Sequence, residues 1–339
     1  MKPMVTELLG VNDESIKKAC DLLMDGQVVA IPTETVYGLF ADATSSRACA
    51  NIFKAKDRPQ DNPLIVHICD YEMLRDIALE IPEEAMKLAD AFWPGPLTMI
   101  LKKKDIIPDS VSAGLDTVGI RMPSNPVVLE VMSKTRLPLA GPSANRSGRP
   151  SPTDAQTVFD DMNGRIPLVL DGGPCKIGVE STVVSLATDP PMLFRPGYIT
   201  AAQISEVIGK PVVLSKGISE ELAEGEKVLS PGLKHKHYAP KAEVTIVNGS
   251  FDSYKKLVES ENAVALCFEE YKDRLNVRAV SYGSETDSAS QAVRLFSALR
   301  ELDEIGAEKV YAMMPSTEGV GLAVYNRLLR SAGFRVINI

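Results

Sequence analysis

The sequence predicts an α/β protein built from two folded units, and three observations carry that reading. The chain has 339 residues, more than one domain usually holds, and 45% of them are apolar, enough for a sizeable core. Helical and extended signals alternate through the first two hundred residues, the pattern of helices packed on a sheet. Residues 215–241 then interrupt the periodicity, and a second alternating region follows.

In the first unit, Ile16, Ala19, Cys20 and Leu23 recur at helical spacing over residues 13–25, with Asn12 or Asp13 as the N-cap and Gly26 as the stop. A short strand follows at 28–31, a helix at about 45–56 and a buried strand at 63–68. Further apolar runs predict strands at 97–101, 118–122, 137–140, 168–170, 182–186 and 192–194, several of them separated by helices near 82–92, 126–133, 153–161 and 200–208. The close spacing of the last strands predicts a mixed sheet. The segment SKGISEELAEGEKVLSPGLKHKHYAPK is rich in proline, glycine and charge, and reads as a linker. It is far longer than the usual connection of about 4 to 6 residues, and long connections are often functional or disordered. Beyond it, strands at 244–247, 263–267, 277–280, 310–313 and 335–337 alternate with helices near 252–260, 286–303 and 320–332, which predicts a Rossmann-like unit. The expected division is therefore 1–214, 215–241 and 242–339.

The formal charge of −8 with 24% charged residues describes an ordinary surface without the basic excess that drives tight duplex binding. No apolar run reaches the roughly 18 residues of a membrane span, and the N-terminus has no leader pattern, so a cytoplasmic protein is expected. Five cysteines without a CxxC spacing predict reduced, mostly buried thiols.

Three segments concentrate polar chemistry at strand ends. Pro32–Leu39, PTETVYGL, packs Thr33, Glu34, Thr35 and Tyr37 into a turn closed by Gly38, where ligands of α/β sheets gather or where a strand simply turns into a helix. In FKAKDRPQDNPLIVHI, Lys54 suits a solvated helix end, whereas Lys56 and Arg58 suit a polyphosphate. GPSANRSGRPSPT supplies Ser143, Asn145 and Ser147 among glycines and prolines, so that phosphate or ribose could approach closely. No GxxxxGK[ST] motif occurs, so a nucleotide would need another kind of site. His235 and His237 have no further cysteine or histidine to complete a zinc set, so no protein-held metal is expected.

Lys56-Asp57-Arg58 with Ser143-Ala144-Asn145 resembles the K-x-R and S-x-N signature of the YrdC-like superfamily. PTETVYGL, RPxxNPLIVHI, WPGPLT, GLDTVGIRMP and GVEST match it in order, and SPGLKHKHYAP with the second unit is similar to the long, two-domain threonylcarbamoyl-AMP synthases. The resemblance implies a twisted mixed sheet around a concave cavity where L-threonine, bicarbonate and ATP meet. It implies threonine contacts from Thr35, His67, Arg121, Gly141 and Ser181. It implies ATP contacts from Arg58, Asn62, Thr117, Ser143, Asn145, Ser151 and Arg195, with Lys56 near the phosphates and Tyr238 reaching in from the linker. Lys56 and Arg58 are the expected catalytic cations, and magnesium would accompany the triphosphate. Phe40 departs from the glycine common after YGL, and Gly141 from the alanine frequent before PSAN; both bear on the fine shape of the pocket.

For Arg121 a structural ion pair competes with carboxylate capture, and for Arg195 the capping of a strand competes with ligand contact. His67 is either a core histidine or a site residue and a candidate base. Two rival functions are an RNA-binding module for duplex RNA without catalysis, against which the acidic charge speaks, and a carbamoyl-transferring maturation factor, whose zinc-finger cysteines are absent. In the family the product passes to a separate tRNA-modifying transferase; weak RNA binding and no membrane partner complete the expectation.

Overall fold

The computed structural model describes residues 4–60, 62–220 and 238–339, and within them the strands form two sheets. The first sheet contains β1 (Glu7–Gly10), β2 (Val29–Ile31), β3 (Gly38–Asp42), β4 (Ile65–His67), β5 (Leu97–Lys102), β6 (Thr117–Arg121), β7 (Leu139–Gly141), β8 (Leu168–Asp171), β9 (Thr182–Ser185), β10 (Met192–Arg195) and β11 (Val213–Leu214). Their order is β1-β8-β2-β3-β7-β4-β6-β5-β9-β10-β11. Parallel pairs such as β4–β6 and β5–β9 alternate with antiparallel ones such as β4–β7 and β5–β6, so the sheet is mixed as expected. The second sheet, β12 (Glu243–Asn248), β13 (Val264–Cys267), β14 (Ala279–Ser281), β15 (Lys309–Met313) and β16 (Val336–Asn338), is parallel throughout in the order β14-β13-β15-β12-β16.

Local chemistry explains most element boundaries. Asn12 caps the first helix, Asp13–Met24, in a reciprocal box with Ser15, and Ile16, Ala19, Cys20 and Leu23 form its buried face. Ser45, Asp70 and Asp154 cap later helices by accepting a backbone N–H three residues on. One expectation needs correction. Gly38 does not close a turn after the strand but opens β3, which pairs antiparallel with β2, so TETVY is the bend between two strands. The edge strand β1 and the helices Tyr71–Ile77 and Asp109–Ser112 were not expected.

The two sheets are joined through the helices of the second. Gly178 lies where the Ser288–Glu304 helix passes; a side chain there would stand 2.4 Å from the carbonyl oxygen of Ala292. From that helix Arg300 reaches Asp161 at 2.8 Å and also donates to the Pro150 carbonyl. From the Gly321–Ser331 helix, Asn326 donates to the Ile218 carbonyl at 2.7 Å and Arg327 pairs with Glu180 at 2.9 Å. A buried cation, Arg327, and a partly buried one, Arg300, thus lie where the two units meet, and their partners lie near the site described next.

Candidate active site

A cavity opens where β3, β4, β6, β7 and β9 bring their ends together. Thr35, His67, Arg121, Gly141 and Ser181 line it, as do Arg58, Ser143, Arg195 and Tyr238. These side chains come from stretches separated by up to two hundred residues, and pairing of the strands unites them. His67 and Arg121 are direct neighbours because β4 and β6 pair in register, and Gly141 sits opposite Ile65 on β7.

Hydrogen bonds within the first unit hold one end of the cavity. Arg121 donates from Nη1 to the Thr35 hydroxyl at 3.0 Å and from Nε to the Gly95 carbonyl at 3.3 Å. Its Nη2 also lies 2.7 Å from Glu34 Oε1, an ion pair off the hydrogen-bond direction. Thr33 shares a hydroxyl contact with Thr35 at 2.9 Å and donates to the Val36 carbonyl at 2.6 Å, which folds the bend. Arg121 is therefore ion-paired, and it also lines the cavity. Ser181 is flanked by the Thr98 hydroxyl at 2.8 Å and by Arg195, whose Nη2 donates to Ser181 Oγ at 3.0 Å and whose Nε donates to the Ser181 carbonyl at 2.9 Å. Burial lowers the Arg195 guanidinium to about 10, so it stays charged.

His67 is buried, its ring edge-on to Phe40 with centroids 4.9 Å apart. Burial, with the nearby Arg121 charge, lowers its imidazole to about 3, so it is neutral near pH 7. Phe40 and Gly141 fit one another. A methyl group at Gly141 would stand 2.5 Å from Phe40 Cδ1, and one at Gly38 would stand 2.3 Å from Phe40 Cζ. The two departures from the family pattern thus compensate: the ring takes the space that a side chain at 141 would need.

Loops build the other end. Lys56, expected beside the phosphates, is not in the cavity wall. It is buried, and its ammonium donates to the carbonyls of Ser143 and Asn145, the latter at 2.5 Å, bracing the turn that carries Ser143. Burial and then Arg58 push its pKa well below the ordinary lysine value. Asn145 also faces this turn: its Oδ1 accepts the Ser143 hydroxyl at 2.5 Å, and its Nδ2 donates to the carbonyls of Arg146 and Arg149 at 2.8 and 2.9 Å. Arg58 is in the wall, its Nη2 near the carbonyls of Asn62 and Pro63 at 3.4 and 3.5 Å. Asn62 itself lies outside the wall, with its Oδ1 buried and unpartnered among the described residues. Thr117 is on the same strand as Arg121 and, four residues away, on the same face, but beyond the wall. Ser151 is buried and donates its hydroxyl to Glu180 Oε1 at 2.6 Å.

Glu180, which lies within GVEST and carries no expected role, also lines the cavity. Burial would raise its carboxyl, but the Arg327 and Arg195 guanidiniums and the Ser151 hydroxyl outweigh that and hold it at about 2. Among the described residues no cluster of three or more His, Cys, Asp or Glu side chains could hold a metal. His235 and His237, with the rest of 221–237, lie outside the described residues.

Residues 21–197 match a family model described as "Telomere recombination", and residues 199–333 match "Threonylcarbamoyl-AMP synthase, C-terminal domain". The threonylcarbamoyl-AMP synthase of Bacillus subtilis is 45% identical over 340 residues, covering 98% of this chain and 97% of that protein. The corresponding synthase of Pyrococcus abyssi is 42% identical, covering 97% of each chain. The crystal structure of P. abyssi Sua5 complexed with L-threonine superposes with a TM-score of 0.92 at 39% identity, covering 98% of this chain and 100% of that one. E. coli YciO shares the fold of the first unit, with a TM-score of 0.52 at 21% identity over 57% of this chain and 96% of its own.

Proposed function

The chain belongs to the threonylcarbamoyl-AMP synthase family, and on that premise we propose how its cavity performs the reaction. The enzyme makes threonylcarbamoyl-AMP and pyrophosphate from L-threonine, bicarbonate and ATP, for the threonylcarbamoyl-adenosine modification of tRNA. The observation that carries the residue assignment is the gathering of Arg58, Arg121 and Arg195 with hydroxyls of Thr35, Ser143 and Ser181 around one cavity.

In this assignment the reaction is a nucleotidyl transfer. The threonine amine, once deprotonated, adds to bicarbonate with loss of water. An oxygen of the resulting carbamate then bonds to the α-phosphorus, and the bond from that phosphorus to the pyrophosphate oxygen breaks. No covalent enzyme intermediate is needed, so positioning and charge neutralisation supply the catalysis. Arg121, held by Thr35 and Glu34, is placed to take the threonine carboxylate, with Ser181, His67 and Gly141 shaping that end. His67, whose basicity burial depresses, is a poor proton acceptor and is given a binding part. Arg58 is assigned to the transferring and leaving phosphates, with Ser143, Arg195 and Tyr238 on the nucleotide.

Lys56 and Asn145 act in this scheme as positioning residues for the Ser143 turn, and Ser151 acts through Glu180. Asn62 and Thr117 extend the nucleotide surface beyond the cavity wall. Magnesium, held by the triphosphate rather than by protein side chains, would supply charge neutralisation there. We take 1–214 as the catalytic unit, 215–241 as the connection, of which 221–237 lie outside the described residues and Tyr238 lines the cavity, and 242–339 as the second unit. The product passes to a separate tRNA-modifying transferase, with at most weak RNA contact, in the cytoplasm; among the described residues no helix is long and apolar enough to cross a membrane.

Purified enzyme supplied with ATP, magnesium, bicarbonate and each amino acid in turn tests the reading. Pyrophosphate and an acyl-adenylate should accumulate with threonine alone. Equal pyrophosphate release without threonine, or with every amino acid, would overturn it.

A further inference from the structure

We propose that Arg327, on the second unit's Gly321–Ser331 helix, is a positioning residue for the nucleotide end of the cavity, acting through the Glu180–Ser151 pair. The proposal rests on the residue assignment above and gives the second unit an indirect part in the reaction.

Arg327 is fully buried, which for a guanidinium is costly unless every donor is engaged. Its Nε donates to Glu180 Oε2 at 2.9 Å, and its Nη1 donates to the Pro196 carbonyl at 2.6 Å and to Asn326 Oδ1 at 3.2 Å. Its Nη2 reaches the Glu180 carbonyl at 3.4 Å. Both the carboxylate and the backbone of Glu180 are thereby fixed from outside the first unit. The remaining carboxylate oxygen accepts the Ser151 hydroxyl, and Arg300 holds the neighbouring Pro150 carbonyl. A chain of contacts thus runs from the second unit through Glu180 into the GRPSPT loop.

Charge explains why an arginine is needed here. Glu180 lines a cavity assigned to a polyanion, and an unpaired carboxylate there would repel the triphosphate. Among the described residues, titratable and charged groups that act on Glu180 include Arg327, Arg195, Tyr238 and, farther off, Lys56. Without Arg327 the carboxylate keeps its burial and loses its hydrogen-bonded cation. It then either stays charged and opposes ATP or takes up a proton.

The experiment measures threonine-dependent pyrophosphate release by the full chain between about pH 6 and 9, varying ATP and threonine separately. Arg327→Met should raise KM for ATP about tenfold or more and KM for threonine less than about twofold, because a buried charge has lost its partner at one end only. The penalty should shrink toward the acid end, as Glu180 takes up a proton. The double variant Glu180→Gln/Arg327→Met should bring KM for ATP back to within about threefold of wild type and lose that pH dependence. Ser151→Ala, which leaves every Arg327 contact in place, should raise KM for ATP alone. The proposal fails if Ser151→Ala keeps a wild-type KM for ATP, or if both KM values rise together in Arg327→Met with no recovery in the double variant. Should Arg327→Met not fold, the double variant and Ser151→Ala decide by the same criteria. Wild-type enzyme that releases no pyrophosphate in response to threonine would sink the functional reading instead.

Discussion

At one end of the cavity Thr35, Arg121 and Ser181 are wired to groups of the first sheet and its bends, whereas at the other Ser143 and Ser151 ride on loops braced by Lys56, Glu180 and arginines of the second unit. The strand-borne end inherits its geometry from the ladder between β4 and β6. A loop has no ladder, so its polar groups hold a fixed position only if side chains from elsewhere engage its carbonyls. The amino-acid end should therefore tolerate changes at the junction between the units, and the nucleotide end should not.

Arg121→Met gives the largest break in that comparison. It removes the cation assigned to the threonine carboxylate and strips the buried Glu34 of the guanidinium it pairs with. A loss of about 3 to 5 kcal/mol is expected for a buried charge stripped of its partner, so kcat/KM for threonine should fall at least about a hundredfold. ATP binding measured without threonine should change far less; an equal loss for both ligands would show that the two ends are not separately built. Lys56→Met probes the opposite end. It leaves the Ser143 and Asn145 carbonyls without the ammonium that engages them, at about 1 to 3 kcal/mol per buried group. KM for ATP should rise about tenfold or more with KM for threonine nearly constant. If the charge acted on the reacting phosphates, kcat would fall and KM would hold.

The two ends also differed in how much of them could be read from residues alone. Arg121 follows an apolar strand and faces the site as expected, because a strand's end and a guanidinium are both local features. Lys56 sits in an equally plain motif, yet its ammonium turns to carbonyls almost ninety residues away, a contact that no local pattern encodes. Arg327 was invisible for a related reason: on an amphipathic helix an arginine reads as solvated face, and only docking of the second unit buries it. In the fold, β3 escaped because GLFAD is almost wholly buried and so lacks the alternation that marks a half-buried strand. The helices, by contrast, declared themselves through caps such as Asn12, which act over three residues.

Between these ends lies the Phe40–Gly141 contact, and it makes a smaller and more local test. Gly141→Ala places a methyl group against the buried Phe40 ring and should destabilise the protein by about 1 to 3 kcal/mol, the usual cost of overpacking. Because the ring also abuts His67, threonine use should suffer before ATP use. Phe40→Gly combined with Gly141→Ala should recover part of the activity toward threonine, since the methyl group then enters vacated space. A double variant no better than Gly141→Ala in threonine kinetics would refute the compensation.

The smallest effect is set by proton linkage, which again separates the ends. His67 is at the end assigned to the amino acid and is held neutral near pH 7, with its pKa lowered from 6.5 to about 3. Unfolding frees it to bind a proton, so its contribution is full above pH 6.5 and is lost progressively as pH falls toward 3. Glu180 lies at the end assigned to the nucleotide, and its lowering from 4.5 to about 2 confines its loss to the lower window between those values. Mild acid should therefore weaken the protein through His67 while the Glu180 contacts persist. Melting curves at about pH 7.5 and pH 5.5 should show His67→Gln losing less stability than wild type across that interval, by about 1 kcal/mol, or some 1 to 2 °C for a chain of this length. An identical acid response in the two proteins would mean that the imidazole is not held neutral in the folded state.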